Sequence, residues 1–310
     1  MQDRLKEPIE LLPLFRERVW GRQDLAPFFA QSPEPPRIGE VWFTSVENPV
    51  SLGGTLGDLL TQQPSLLGDD CDPARPGICP LLVKFLFTSE RLSVQVHPTD
   101  KPGQCGKTEA WYVLDAQPGA QVALGFEQSI SRAELKTAIE SGTVEQLLNW
   151  HVANAGDVFF IPAGTVHAIG PGLTICEVQQ NCDTTYRLYD YGRNRELHVE
   201  QGLAVARVAA YQSPDPPIAL DTWRDQLIAC DCFRIERLRP HAGFEIEAGL
   251  DSHMLLICVK GSGSVGSHYA ARGTAWFIPA QAETVRVESP ESEWILAYKA
   301  QHPSSLSPRS

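Results

Sequence analysis

The chain has 310 residues, 43% hydrophobic and 21% charged, with a formal net charge of −12. That is ordinary globular usage, long enough for one large or two ordinary domains, and the core needs no disulfide or metal staple. The acidity disfavours nucleic-acid and anionic-membrane partners, no apolar run reaches a membrane span, and the charged start MQDRLKEPIELLPLF lacks a signal-like apolar core, so a cytoplasmic location is expected.

Glycine and proline, 24 each, recur at short intervals, and the runs between them are rich in Val, Ile, Phe, Trp and Tyr. This predicts an all-β chain with many turns. In chain order, strands are expected at Ile38–Ser45, Leu81–Phe87, Leu92–His97, Ala110–Leu114, Gln121–Gly125, Asp157–Pro162 and Thr174–Gln179. Later ones are expected at Phe233–Leu238, Met254–Lys260, Thr274–Pro279 and Glu293–Tyr298. Helices are few. Thr55–Gln62 reads as a short one, and the capping box Ser131-Arg-Ala-Glu134 opens a second that Gly142 ends. A further box, Thr143-x-x-Gln146, predicts a short helix to about Leu148, and His198–Ala210 is a third helical stretch. Tyr211–Pro217 (YQSPDPP) reads as a linker, because Pro and Asp block helix and strand alike. Eight cysteines are too sparse for a disulfide scaffold, so reduced thiols are expected. Neither Cys71/Cys79 nor Cys230/Cys232 has the spacing of a four-ligand zinc knot.

A weak repeat runs through the chain. Asp157-Val-Phe-Phe-Ile-Pro-Ala163 resembles Thr274-Ala-Trp-Phe-Ile-Pro-Ala280, each preceded by a glycine. Two copies of a β-barrel half would produce this. Counted from the shared Ile-Pro-Ala, His167 of the first copy falls opposite Thr284 of the second, so only the first copy can bind through a histidine there.

Of the eight histidines, His97 and His167 have special surroundings. In Ser93-Val-Gln95-Val-His97, polar residues alternate with valines, so Ser, Gln and His share one strand face. Lys107 and Glu109 alternate in the same way before an aromatic strand, and His167 follows the turn of Phe160-Ile-Pro-Ala-Gly-Thr-Val. Two His, one Glu and one Gln form an N2O2 set that zinc accepts, as do manganese, cobalt and iron. A weak amide oxygen beside three strong ligands leaves room for water or substrate, which suits a catalytic metal.

VQVHPTD, GKTEAWYVLDA, FFIPAGTVHAIG and TTYRLYDYGR, in this order, resemble type I phosphomannose isomerases of the compact bacterial form. Val19-Trp-Gly21, IGEVWFTS and LLVKFLFTSERLSVQVHP extend the likeness from about Leu14 to Ala206. The resemblance implies two cupin-like jelly-roll β-barrel halves with a few short helices: a metal-binding catalytic domain over 1–210 and a degenerate cupin-like domain over 218–310. It implies one zinc ion per chain, held by Gln95, His97, Glu109 and His167, with other divalent metals as alternatives. It also implies a small sugar phosphate as partner and interconversion of mannose 6-phosphate and fructose 6-phosphate through a cis-enediol.

Matched onto the family's motifs, Arg187 is the catalytic arginine. Glu177 and Asp183 are acidic residues of the site, Ser93 and Lys107 flank the ligands, and Arg193 falls where a basic residue is common. Lys107 and Ser93 are the expected phosphate contacts, with Lys107 also able to stabilise the enediolate. The general base stays open between Glu177 and a hydroxide on the metal. The competing readings are a metal-dependent isomerase of another sugar and a non-catalytic sugar-binding cupin. The segment Pro98–Gly106, shorter than in many relatives and containing Cys105, is expected to shape access to the site.

Overall fold

The computed structural model describes residues 6–30, 36–247, 251–299, 304 and 306–308; His302 lies outside them. The fold is all-β and cupin-like: among the described residues, four antiparallel sheets form two jelly rolls, with three short α-helices. The first jelly roll has a six-stranded sheet in the order 14–22, 38–42, 81–87, 173–180, 109–116, 158–161. Facing it is a five-stranded sheet in the order 186–189, 94–96, 167–169, 121–126, 148–152. The second pairs a seven-stranded sheet, built on 275–278, 254–260, 293–298 and 234–238, with a five-stranded one. Ile9–Leu11, from the start of the chain, forms the edge strand of that seven-stranded sheet against Ala275–Phe277.

Alternation in the strands explains how the sheets stack. Leu81–Phe87 is buried at every position. Val83, Phe85 and Phe87 point into a large core shared with Ile235, Leu255, Ile257 and Phe277 of the second jelly roll. Leu82, Lys84 and Leu86 line a cavity inside the first. The Leu173–Gln180 strand divides likewise: Cys176 and Val178 join the shared core, while Glu177 and Gln179 face the cavity. A strand buried on both faces reads as a continuous apolar run, and the few polar residues in it mark the inside of the barrel.

Each strand expected from the sequence is present, though its ends differ by a few residues. Twelve more, among them 14–22, 167–169, 186–189 and 224–229, carry no strong apolar run and were not foreseen. Thr55 caps the helix Leu56–Gln62. Both bonds of the Ser131/Glu134 box form at the start of Arg132–Glu140. The Thr143 box does not form: Thr143 makes no side-chain cap bond, and Val144–Leu147 is a 3₁₀ turn. The third helix is shorter than expected, Val199–Val205, because Ala206 is already extended and Ala210 bridges to Phe126. The expectation of reduced thiols also needs correction. Cys105 and Cys182, 77 positions apart, form a disulfide that spacing could not reveal; six other cysteines are free. Among the described residues, no helix is long and apolar enough to cross a membrane.

Candidate metal centre and active site

Strand register assembles the site. His167 pairs with Gln95, and Gln95 with Arg187 on its other side, so three polar residues from three strands share one face of the five-stranded sheet. On the facing sheet, Glu177 pairs with both Lys84 and Trp111, and Gln179 pairs with Glu109. The turn before His167 depends on Gly164, whose φ of +89° favours glycine. Its N–H donates to the carbonyl of His97 at 2.8 Å, tying together the two histidine segments.

His97, Glu109 and His167 converge, each at most 1% exposed, and their ligating atoms lie within 4.8 Å of one another. His97 Nε2 lies 3.4 Å from Glu109 Oε2, and His167 Nε2 3.3 Å from Glu109 Oε1. The other ring nitrogens face backbone: His97 Nδ1 is 3.0 Å from the Thr184 carbonyl and His167 Nδ1 2.9 Å from that of Thr165. Donation from Nδ1 to a carbonyl leaves each Nε2 with a free lone pair, as metal ligation requires. Burial, with Lys107 and the other histidine nearby, holds His97 well below its ordinary value. Burial likewise pushes His167 down to about 4. Both rings are therefore neutral at neutral pH. Glu109 Oε1 is buried without a hydrogen-bond donor, and Oε2 meets only the Lys107 ammonium, at 3.0 Å. Unsatisfied buried carboxylate oxygens are costly unless a cation faces them, so the group fits a divalent metal.

Gln95 reaches His167, Nε2 to Nε2, at 3.2 Å. Lys107 Nζ sits 2.9 Å from His97 Nε2 and 3.0 Å from Glu109 Oε2. Gln95 and Lys107 in turn line a cavity of about 310 Å³. Ser93, Glu177, Asp183 and Arg187 line the same cavity. Arg193 is not brought there. It is engaged by Glu90 at 2.9 Å, the Arg91 carbonyl and Asp190, while Arg195 lines the cavity instead, doubly bonded to Asp190.

Lys84, Gln179 and Trp42 also line the cavity. Lys84 had a visible signal: it is a lone charge inside the apolar run Leu81–Phe87. Its ammonium meets Glu177 at 2.9 Å, and Trp111 Nε1–H donates to the other Glu177 oxygen at 3.2 Å. Burial raises the Glu177 carboxyl above its ordinary range against the lowering pull of Lys84. Arg187 donates one N–H to the Glu196 carbonyl at 2.8 Å, and its buried Nε has no partner. Burial and the neighbouring Arg195 hold Arg187 below its ordinary value, so the two guanidinium groups repel each other at the cavity wall. A bound anion would relieve that repulsion.

These features place the protein among two-jelly-roll cupins with a buried group able to hold a divalent metal. Comparison with known proteins narrows the class. No protein-family model matches. The chain is 40% identical over 222 residues to Bacillus subtilis mannose-6-phosphate isomerase ManA, covering 65% of this chain and 69% of the relative. It is 36% identical over 231 residues to the Streptococcus mutans mannose-6-phosphate isomerase, covering 68% and 72%. The crystal structure of the Bacillus subtilis mannose 6-phosphate isomerase superposes with a TM-score of 0.81 at 28% identity, covering 94% of this chain and 99% of that one. A Salmonella typhimurium phosphomannose isomerase mutant superposes at 0.76 with 16% identity, over 94% and 99%, and speaks for the fold alone. The chain belongs to the mannose-6-phosphate isomerase family and is an isomerase.

Proposed function

We propose that the protein interconverts mannose 6-phosphate and fructose 6-phosphate through a cis-enediol, with one zinc ion per chain. The observation that carries this reading is the convergence of His97, Glu109 and His167 directly behind a cavity lined by Lys84, Glu177 and Arg187. Gln95, His97, Glu109 and His167 would hold the metal. When bound, it would act as a Lewis acid towards sugar oxygens.

The remaining chemistry falls to the chain. The aldose-to-ketose conversion moves a proton from C2 to C1 as the carbonyl moves from C1 to C2. Glu177 is the proposed base. It lies in the cavity wall, and burial raises it towards the pH at which it can both accept and return a proton. Trp111 and Lys84 orient its carboxylate. Arg187 faces the negative charge that develops on the enediolate oxygen, a preorganised cation worth several kcal/mol. Lys107, held against Glu109 and His97, supplies positive charge at the ligand end. Ser93 and Arg195 are the proposed phosphate contacts, and Asp183, exposed at the rim, the proposed contact for sugar hydroxyls. The catalytic unit is proposed to span 1–210, with 218–310 covering the outer face of its six-stranded sheet.

The test is conversion of mannose 6-phosphate by the purified protein before and after chelation, with zinc then restored. The expected result is activity lost with chelator and regained with zinc. A metal-loaded protein inert on mannose 6-phosphate but active on another sugar overturns the named substrate. Full activity in fully metal-stripped protein overturns the metal.

A further inference from the structure

The Cys105–Cys182 disulfide sits between two cavities. Cys182 is 3% exposed and lines the active-site cavity. Cys105 is half-buried and lines a second cavity of about 340 Å³, whose wall also contains Cys232, Asp100, Asn181 and Asp231. Cys230 and Cys232 occupy the turn between the strands Arg224–Ala229 and Arg234–Leu238 of the second jelly roll. Both are half-buried free thiols, two positions apart in the same turn. Cys230 Sγ also lies 3.4 Å from the Phe233 carbonyl. Cys232 lines the second cavity together with Cys105 and Gly106, so the turn reaches across to the segment that carries Cys105.

We infer that Cys230 and Cys232 form, with Cys105 and Cys182, a thiol–disulfide exchange centre, in which the dithiol of the second jelly roll reduces the disulfide beside the active site. The turn and the disulfide share one solvent-connected cavity, and Cys105 is the more exposed of the two bridged sulfurs. The neighbouring Cys232 thiol draws Cys230 down to about 7, so the pair carries a negative charge in about half of the molecules at neutral pH. The attacking species is a thiolate, and Cys232 becomes one when Cys230 takes over the proton that the two sulfurs share.

The exchange balances without an added oxidant or reductant. Cys230 first loses its proton to solvent. Cys232 then passes its proton to the Cys230 sulfur and attacks Cys105 Sγ, forming a Cys105–Cys232 bond as the Cys105–Cys182 bond breaks. Cys182 leaves as thiolate and takes a proton from solvent. Cys230 next attacks Cys232, forming the Cys230–Cys232 bond and releasing Cys105, which takes the remaining proton. One disulfide is consumed and one formed.

The exchange reaches the isomerase site through two short stretches of chain. Cys182 lies two residues before Thr184, whose carbonyl faces His97 Nδ1. Cys105 lies two residues before Lys107, whose ammonium meets Glu109. The bridge therefore staples the two segments that position a histidine and a cation of the site.

The test is disulfide mapping on the full chain, carrying its one disulfide per molecule and equilibrated with a catalytic trace of dithiothreitol. Free thiols are trapped in acid with N-ethylmaleimide before non-reducing digestion. The expected result is partial loss of the Cys105–Cys182 peptide pair, matched by gain of a Cys230–Cys232 disulfide, in a ratio independent of protein concentration. Recovery of Cys105–Cys182 alone, with Cys230 and Cys232 both alkylated, overturns the inference. A second measurement isolates the direct attack. The Cys182→Ser/Cys230→Ser protein, treated with oxidised glutathione, is expected to lock as a Cys105–Cys232 disulfide. Folded double variant carrying only glutathione caps on Cys105 and Cys232 overturns it.

Discussion

At the scale of single residues, the site separates groups that hold a ligand from groups that act on one. His97→Ala and His167→Ala each remove one of two neutral imidazoles facing Glu109. Bound metal and turnover should disappear together in either variant, as read by elemental analysis alongside the isomerase assay. Full metal content in either variant would reject that ligand. Arg187→Ala should leave metal content and thermal midpoint near the parent and lower kcat by about 10²–10³, the usual loss for one charge-stabilising donor. Near-normal kcat would move the enediolate charge elsewhere. Lys84 behaves differently because it is buried against Glu177. Removing one partner of a buried ion pair strands the other charge and costs roughly 3–5 kcal/mol. Lys84→Met should therefore lower both stability and activity, and adding Glu177→Gln should restore stability but not activity. A double variant no more stable than Lys84→Met would mean that the lost stability does not come from the stranded carboxylate.

At the scale of elements, what the sequence revealed depended on how much of each signal was local. Strands such as Leu81–Phe87 and Met254–Lys260 announce themselves because they are buried on both faces. The strands at 186–189 and 224–229 mix charged and apolar residues, and only their neighbours in the sheet make them strands. The two capping boxes show the same limit. Both have a hydroxyl three residues before a Glu or Gln, yet only Ser131 closes its box; Val144–Leu147 winds as a 3₁₀ turn before the chain extends into a strand. Ser131→Ala should cost about 1 kcal/mol, read as a lower urea midpoint at unchanged slope. An unchanged midpoint would mean that tertiary contacts of Leu135 and Ile139 alone fix the helix. In the site, alternation alone exposed Ser93, Gln95, His97, Lys107 and Glu109. Which of two nearby arginines reaches the cavity depends on how Tyr189–Arg195 turns. Arg195 lies there, while Arg193 is taken by Glu90 and Asp190. Pairing of Cys105 with Cys182 was hidden for the same reason.

At the scale of the whole molecule, the two jelly rolls share a core rather than touching at a rim, and one titrating contact within that joint should make stability depend on pH. His253, from the second jelly roll, is fully buried and stacks on Phe277 with ring centroids 5.1 Å apart. Its Nδ1 lies 2.9 Å from Asp70 and its Nε2 3.4 Å from Cys79, both from the early part of the chain; Lys299 also approaches Asp70, at 3.5 Å. Burial opposes the charged ring, but Cys79 and Asp70 outweigh it and raise His253 from 6.5 to about 9. Between these values the folded chain holds a proton that the unfolded chain has lost. The contribution is therefore complete below about pH 6.5 and is lost as pH rises towards 9, up to roughly 3 kcal/mol if the whole shift is realised. Urea midpoints measured from pH 6 to pH 9.5 should fall on the alkaline side. His253→Gln, which keeps a polar group of similar reach but cannot hold the proton, should start lower and flatten that fall. An alkaline slope of the same size in His253→Gln would place the titration on another group and leave the joint held by its apolar core alone.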